Sequence, residues 1–203
     1  MKYVIIGNST AAIGCVEGIR SVDTESLITL ISDAHHSAYG RTLLSYLLMG
    51  KTDIENINSR ETGFSEKMGV ETLLCRRVEK IDAVATTITV GDGALVDYDR
   101  LLVATGSRTF LPPMEGIGQV EKHFSFMTLD DALALEKALT QDSRVLIVGA
   151  GLIGMKCAEG IADRVAHIDI CDLAERVLPA VLDEEAASIV QGEMEKHNCA
   201  FHL

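Results

Sequence analysis

The sequence is short of positive charge. Eighteen lysines and arginines stand against 30 aspartates and glutamates, a formal net charge of −12 at pH 7. Nucleic acids and anionic membrane surfaces are bound through a basic face, so neither is an expected partner. No apolar run is long enough to span a bilayer. No cleavable signal pattern precedes the strand-like "KYVIIG" (2–7), so the cytoplasm is the expected compartment. Cysteine pairs are also missing. Cys15, Cys75, Cys157, Cys171 and Cys199 are odd in number, widely spaced and form no C-x-x-C, which points to reduced, partly buried thiols. The pair His35-His36 lies in a loop without metal-site spacing around it, and no metal is expected. The bulk composition, 47% hydrophobic and 24% charged over 203 residues, fits one or two ordinary soluble domains.

Against these absences stands a glycine turn. "YVIIGNSTAAIG" (3–14) reads as an apolar strand, a turn and a small-residue helix start. It opens like a dinucleotide fingerprint that lacks its second glycine: Gly7 holds the first place, Ser9 the second and Ala12 the third. In G-x-G-x-x-G the first glycine permits the tight turn, the second lets backbone approach a pyrophosphate, and the third lets helix and strand pack closely. Alanine is an accepted third residue, and serine is small, with a hydroxyl able to donate to a phosphate oxygen. Taken by itself, the stretch serves equally as a simple strand-to-helix connection.

A second copy decides between these readings. "VIIGNSTAAIGCVEGI" (4–19) aligns without gaps on "LIVGAGLIGMKCAEGI" (146–161), matching Gly7 to Gly149, Cys15 to Cys157 and Glu17-Gly18-Ile19 to Glu159-Gly160-Ile161. The second copy has all three glycines, Gly149, Gly151 and Gly154. Its next strand, "AHIDIC", ends at Asp172, about twenty residues beyond the glycines, where a ribose-binding acid belongs. The first copy likewise reaches an apolar strand, "SLITLIS", ending at Asp33. Two such units imply two dinucleotides.

Between the copies, "SAYGRTLLSYLLMGK" (37–51) reads as a loop running into a short apolar helix, and residues 69–107 as a series of short alternating strands with a turn at Gly91-Asp92-Gly93. Pro112-Pro113 and Gly116-Ile117-Gly118 mark a crossing segment. "TLDDALALEKALTQ" (128–141) reads as a helix with Thr128 as N-cap and Asp130 and Asp131 in its first turn.

Four blocks in this order, the Gly7 fingerprint, "YGRTLLS" (39–45), "YDRLLVATGS" (98–107) and "GAGLIG" (149–154) with "DLAERVLP" (172–179), carry a resemblance that covers essentially the whole chain. It resembles the N-terminal half of the FAD- and NAD(P)H-dependent pyridine nucleotide-disulfide oxidoreductases. Within them it is similar to the branch of NADH oxidases, NADH:rubredoxin reductases and the NADH-handling part of assimilatory nitrite reductases. The resemblance implies an α/β fold of two Rossmann-like, three-layer units, both incomplete, the first with an inserted β-meander. The implied domains are an FAD-binding part at 1–112, a crossing segment and helix at 113–142, and an NAD(P)-binding part at 143–203.

Carried over residue by residue, the resemblance implies that Gly7, Asn8, Ser9, Ala11 and Ala12 face the FAD pyrophosphate. Asp33, or Ser32 beside it, sits at the adenosine ribose, with Asp33 preferred because a carboxylate accepts from both ribose hydroxyls. Arg41 and Ser45 are placed near the flavin and phosphates, Val78 at the adenine through its backbone, and Ala104, Thr105 and Gly106 over the FAD. Gly149, Gly151, Ile153 and Gly154 are implied for the NAD pyrophosphate. Asp172 is implied for its ribose and favours NADH over NADPH, although Arg176 lies nearby in sequence. Lys156 occupies the place where many relatives carry a glutamate near the nicotinamide. It contacts the carboxamide or flavin, or is a surface lysine.

The departures from the family bear on chemistry. Relatives that cycle a disulfide have a C-x4-C on the first helix, and others have one cysteine near "SYLLMG"; this chain has neither. Direct hydride transfer from NADH to flavin is the activity left, followed by transfer to an unidentified acceptor: a small electron-transfer protein, oxygen or a redox domain. A nucleotide-binding fragment without turnover is the alternative. The family continues for roughly as many residues again beyond "NCAFHL" (198–203). The chain is therefore expected to be the N-terminal part of a longer enzyme, with a homodimer among the expected full-length assemblies.

Overall fold

The computed structural model describes residues 1–203, which form two compact units. The first joins Met1–Gly40 to Asn58–Ser107, and the second joins Arg41–Ile57 to Arg108–Leu203.

The first unit is built on a parallel sheet. β1 (Lys2–Ile6) lies between β2 (Leu27–Ile31) and β7 (Arg100–Val103), and β3 (Val70–Leu73) adds outside β2, for an order of β3-β2-β1-β7. The two central strands, β1 and β2, are near-continuous apolar runs, as strands covered on both faces are. On one face Ile5, Ile28 and Leu30 pack with Ala12 and Val16 of α1 (Thr10–Arg20). Phe64 of the single-turn α3 (Phe64–Lys67) packs against the same cluster. On the other face, Val4, Ile6 and Ile31 pack with Ile88 and Val90. The last two belong to an antiparallel meander of β4 (Val78–Asp82), β5 (Thr87–Val90) and β6 (Leu95–Asp97). Helix, parallel sheet and meander give the expected three layers. The alternating region is thus shared out: β3 and β7 join the parallel sheet, and only the middle three strands form the inserted meander.

The second unit repeats the strand-helix-strand plan. β8 (Arg144–Val148), α5 (Leu152–Ile161), β9 (His167–Cys171), α6 (Glu184–Glu195) and β10 (Cys199–His202) form a parallel sheet of order β10-β9-β8. Ile147, Ile168 and Ile170 are buried on one face, whereas Leu146 is 64% and Val148 52% exposed on the other. Their repeat equivalents Val4 and Ile6 are 2% and 6% exposed. Residues 143–203 supply no meander over that second face.

The linear domain boundaries expected from sequence also differ from the compact units, since 41–57 packs in the second. The physical reason is a close helix crossing. A Cβ on Gly160 of α5 would lie 3.2 Å from both Cα and O of Ser45, on α2 (Leu44–Leu48), so the two helices approach closely there. Arg164 reinforces the crossing, donating to the Leu48 carbonyl and the Glu136 carboxylate, each at 2.8 Å. Glu136 belongs to α4 (Leu129–Ala138).

That helix starts as its sequence predicts. The Thr128 hydroxyl accepts from the Asp131 N–H at 3.1 Å, and the Asp131 carboxylate accepts from the Thr128 N–H at 2.9 Å, a reciprocal capping box. Thr128→Ala is expected to cost about 1 kcal/mol, measured as a lowered urea midpoint with an unchanged slope; an unchanged midpoint would show that the cap adds nothing.

Candidate functional site

Both fingerprint turns are real turns of the backbone, and each is pinned by a glycine. In the first, Gly7 has φ of +127°, a conformation side chains rarely adopt. Its N–H donates to the Ile31 carbonyl at 2.8 Å. A Cβ there would lie 2.1 Å from the Ala104 carbonyl oxygen. Ala104 follows β7 and donates its own N–H to Ile6 at 2.7 Å. The turn Ala104-Thr105-Gly106, with Gly106 at φ +69°, is thereby brought against the fingerprint.

Ser9 is the N-cap of α1 in extended conformation, yet its side chain makes no cap hydrogen bond. The N–H groups of the first helical turn, including those of Ala11 and Ala12, are therefore left without a side-chain acceptor, and such a terminus favours an anion. Asn8 donates its side-chain amide to the His36 carbonyl at 2.9 Å. Val78 opens β4 and packs against the core beneath the meander.

The second turn repeats this geometry with a stricter sequence. Gly149 has φ of +114° and donates to the Cys171 carbonyl at 2.7 Å. Gly151 is the N-cap of α5. A Cβ on Gly154 would lie 1.9 Å from the Gly149 carbonyl oxygen, so the third glycine is dictated by contact between helix and turn. Ile153, in the first turn of α5, is exposed.

Asp172 sits beside this turn. It accepts from the Ala150 N–H at 2.7 Å and from the Ala174 N–H at 2.9 Å. These bonds, that from Ala174 foremost and then that from Ala150, hold its carboxyl below the usual carboxylate range. A lowered value means that the bonds stabilise the fold above the unfolded carboxylate range, and that this contribution is lost as pH falls through the folded value.

Arg176 is spent locally on the carbonyls of Leu182 and Pro179, both at 3.3 Å. Lys156 pairs with Glu159 and lies 4.8 Å from the centroid of the Tyr46 ring, a cation–π contact between α5 and α2.

Arg41 and Ser45, nominated with the first nucleotide, fall in the second unit. Ser45 is buried, and its hydroxyl is the one buried side-chain polar atom without a hydrogen-bond partner. The repeat also resolves a register. Gly7 donates to Ile31 as Gly149 does to Cys171, and Ser32 donates to Leu73 as Asp172 does to His202. Ser32, not Asp33, is thus the positional equivalent of Asp172, and Asp33 stands one residue beyond. Sequence alone missed the paired backbone bonds of Asp172; a carboxylate at the end of the second strand was the only signal for them.

The cysteines divide by burial. Cys157 is buried, which pushes its thiol up to about 12, and burial also raises Cys15 and Cys199. No helix is long and apolar enough to cross a membrane.

Residues 1–203 match the family model described as pyridine nucleotide-disulphide oxidoreductase. The NADH-dependent phenylglyoxylate dehydrogenase subunit epsilon of Aromatoleum evansii is 34% identical over 190 residues, covering 94% of this chain and 45% of that protein. The nitrite reductase [NAD(P)H] of Bacillus subtilis is 29% identical over 203 residues, 100% of this chain and 25% of that protein. Among solved structures, a covalent putidaredoxin reductase–putidaredoxin complex superposes with a TM-score of 0.89 at 26% identity, covering 99% of this chain and 49% of that one. The water-forming NADH oxidase from Lactobacillus brevis, bound to NADH, shares the fold with a TM-score of 0.90 at 22% identity, over 100% of this chain and 46% of its own. The chain spans less than half the length of these relatives. Its match over every residue, on two fingerprint turns and a shared α/β fold, makes it a member of the pyridine nucleotide-disulphide oxidoreductase family.

Proposed function

We propose that this chain supplies the nucleotide-binding part of an FAD-dependent oxidoreductase that passes hydride from NADH to flavin and electrons onward to an acceptor. The observation that carries the reading is the pair of turns in which a Cβ would strike backbone, at Gly7 and at Gly154. Such a cradle leaves backbone N–H groups open to a pyrophosphate. FAD, when bound, supplies the hydride acceptor.

The first turn holds FAD through Gly7, Ser9, Ala11 and Ala12, with Asp33 or Ser32 at the ribose, Val78 at the adenine, and Thr105 and Gly106 over it. Gly149, Gly151, Ile153 and Gly154 hold the NADH pyrophosphate. Each Asp172 oxygen accepts one backbone bond and keeps a further lone pair for a ribose hydroxyl. Lys156 presents a cation positioned by Glu159 and Tyr46 on the nicotinamide side. The raised thiols of Cys15, Cys157 and Cys199 stay protonated at neutral pH. This supports direct hydride transfer over a thiol-disulfide step.

The acceptor is a small electron-transfer protein, oxygen or a redox domain, the full-length parent a homodimer, and the compartment the cytoplasm. A visible spectrum and FAD titration of the purified protein test the flavin: saturable binding is expected, and a folded protein that binds no FAD leaves only a nucleotide-binding fragment.

NADH is expected to bind about ten- to a hundredfold more tightly than NADPH. The ribose hydroxyl makes charge-assisted bonds worth roughly 1.5–3 kcal/mol to Asp172, whereas a 2′-phosphate meets a carboxylate. Arg176, engaged in its own loop, does not offset that repulsion. Fluorescence titration with both cofactors decides; equal or reversed affinity removes Asp172 as the discriminating group.

A further inference from the structure

We propose that Asp172 is a positioning residue that closes the second fingerprint turn before any nucleotide arrives, a task the first turn assigns to a neutral side chain. Ala150 is the residue between the first two glycines. It is fully buried, so its N–H and C=O both need partners. The N–H donates to Asp172 at 2.7 Å, and the C=O accepts from the Leu178 N–H at 2.8 Å. The second Asp172 oxygen accepts from Ala174 at 2.9 Å, so one carboxylate bridges the fingerprint turn and the loop that follows β9.

The first unit solves the same problem differently. The Asp172 position is Ser32, whose hydroxyl accepts from the Ala34 N–H at 3.2 Å and serves only its own loop. The Ala150 position is Asn8, and its side-chain amide reaches the His36 carbonyl at 2.9 Å. Both turns are thus tied to the loop after the second strand. The second is tied by an ionised acid and the first by an amide. Dinucleotide affinity at the second turn then depends on Asp172 twice: once through the ribose hydroxyl, and once through the shape of the turn that holds the pyrophosphate. The second dependence rests on the NADH reading above; the closure itself does not.

Two measurements separate these roles. In nucleotide-free protein, Asp172→Ser is expected to speed hydrogen exchange of the Ala150 amide about tenfold or more, because a buried N–H loses its acceptor. The Gly149 amide, bonded to the Cys171 carbonyl, keeps its protection. Asp172→Asn retains one accepting oxygen and gives a smaller acceleration at Ala150 or Ala174, so the test survives if the serine variant folds poorly. Unchanged exchange at both amides in the two variants overturns the proposal.

The second measurement uses NADH carrying a 2′-deoxyadenosine, which lacks the hydroxyl that Asp172 would bind. If Asp172 also shapes the turn, Asp172→Ser still weakens this ligand, by roughly fivefold or more. If it acts through the ribose alone, wild type and variant bind the deoxy ligand equally, and the proposed link from turn closure to affinity is lost. Failure of the wild-type protein to bind NADH at all would count against the cofactor reading, while the amide exchange continues to decide the closure.

Discussion

Gly7→Ala is expected to destabilise the first unit by on the order of 3 kcal/mol or more, enough to leave much of it unfolded at ordinary temperature. Two penalties add at this position. The backbone at φ +127° disfavours any side chain, and the new methyl would lie 2.1 Å from the Ala104 carbonyl oxygen and 2.7 Å from its carbon. Both atoms are backbone, held by the Ala104 N–H bond to Ile6 at 2.7 Å, and so cannot swing aside as a side chain would.

The repeat supplies its own controls. A methyl added at Gly18, near the end of α1, would meet no heavy atom within 4 Å. Gly18→Ala is accordingly expected to stabilise by about 0.5–1 kcal/mol through helix propensity. Gly160, its equivalent on α5, meets Ser45 backbone at 3.2 Å, and Gly160→Ala is expected to cost about 1 kcal/mol or more by pushing α2 away. Urea unfolding of the three variants, followed by circular dichroism, checks the order. Equal midpoints for the Gly7 and Gly18 variants would show that the turn tolerates a side chain and is no cradle.

Ser9→Asp is expected to move stability and flavin affinity in opposite directions. Ser9 already has N-cap geometry without using its side chain as a cap. An aspartate there gains a hydrogen bond to the first turn of α1 and a favourable interaction with the helix dipole, together about 0.5–1 kcal/mol. The same carboxylate occupies the place assigned to the FAD pyrophosphate, and FAD affinity is expected to fall by about a hundredfold. Ser9→Gly should bind FAD close to wild type, and Ser9→Leu should lose it while NADH binding survives. Thermal melts and FAD titrations of the same four proteins give both readouts. Equal FAD affinity throughout would reduce this turn to a strand-to-helix connection.

What the sequence made legible follows the range of the interactions involved. Gly7, Gly149 and Gly154 were readable because a turn, a helix start and their spacing are local, and the internal repeat supplied the context that Ser9 alone lacks. The Thr128 cap was readable for the same reason, its partner Asp131 lying three residues on. The positional equivalence of Ser32 with Asp172 was not, since it depends on which carbonyl of β2 accepts from Gly7. Nor was the allegiance of residues 41–57, whose α2 packs on α5 and α4 more than eighty residues away. Asp172 was visible as an acid in the right place. Its grip on Ala150 needed the register of β8 against β9. The uncovered face of the second sheet was hidden too, because Leu146 and Val148 continue an apolar strand pattern that normally signals burial.

That uncovered face has a calorimetric consequence. Apolar surface that is already wet in the native state adds nothing to the heat capacity gained on unfolding. With Leu146 and Val148 exposed where Val4 and Ile6 are sealed, β8 contributes less than β1 to the heat-capacity increment and to the denaturant slope.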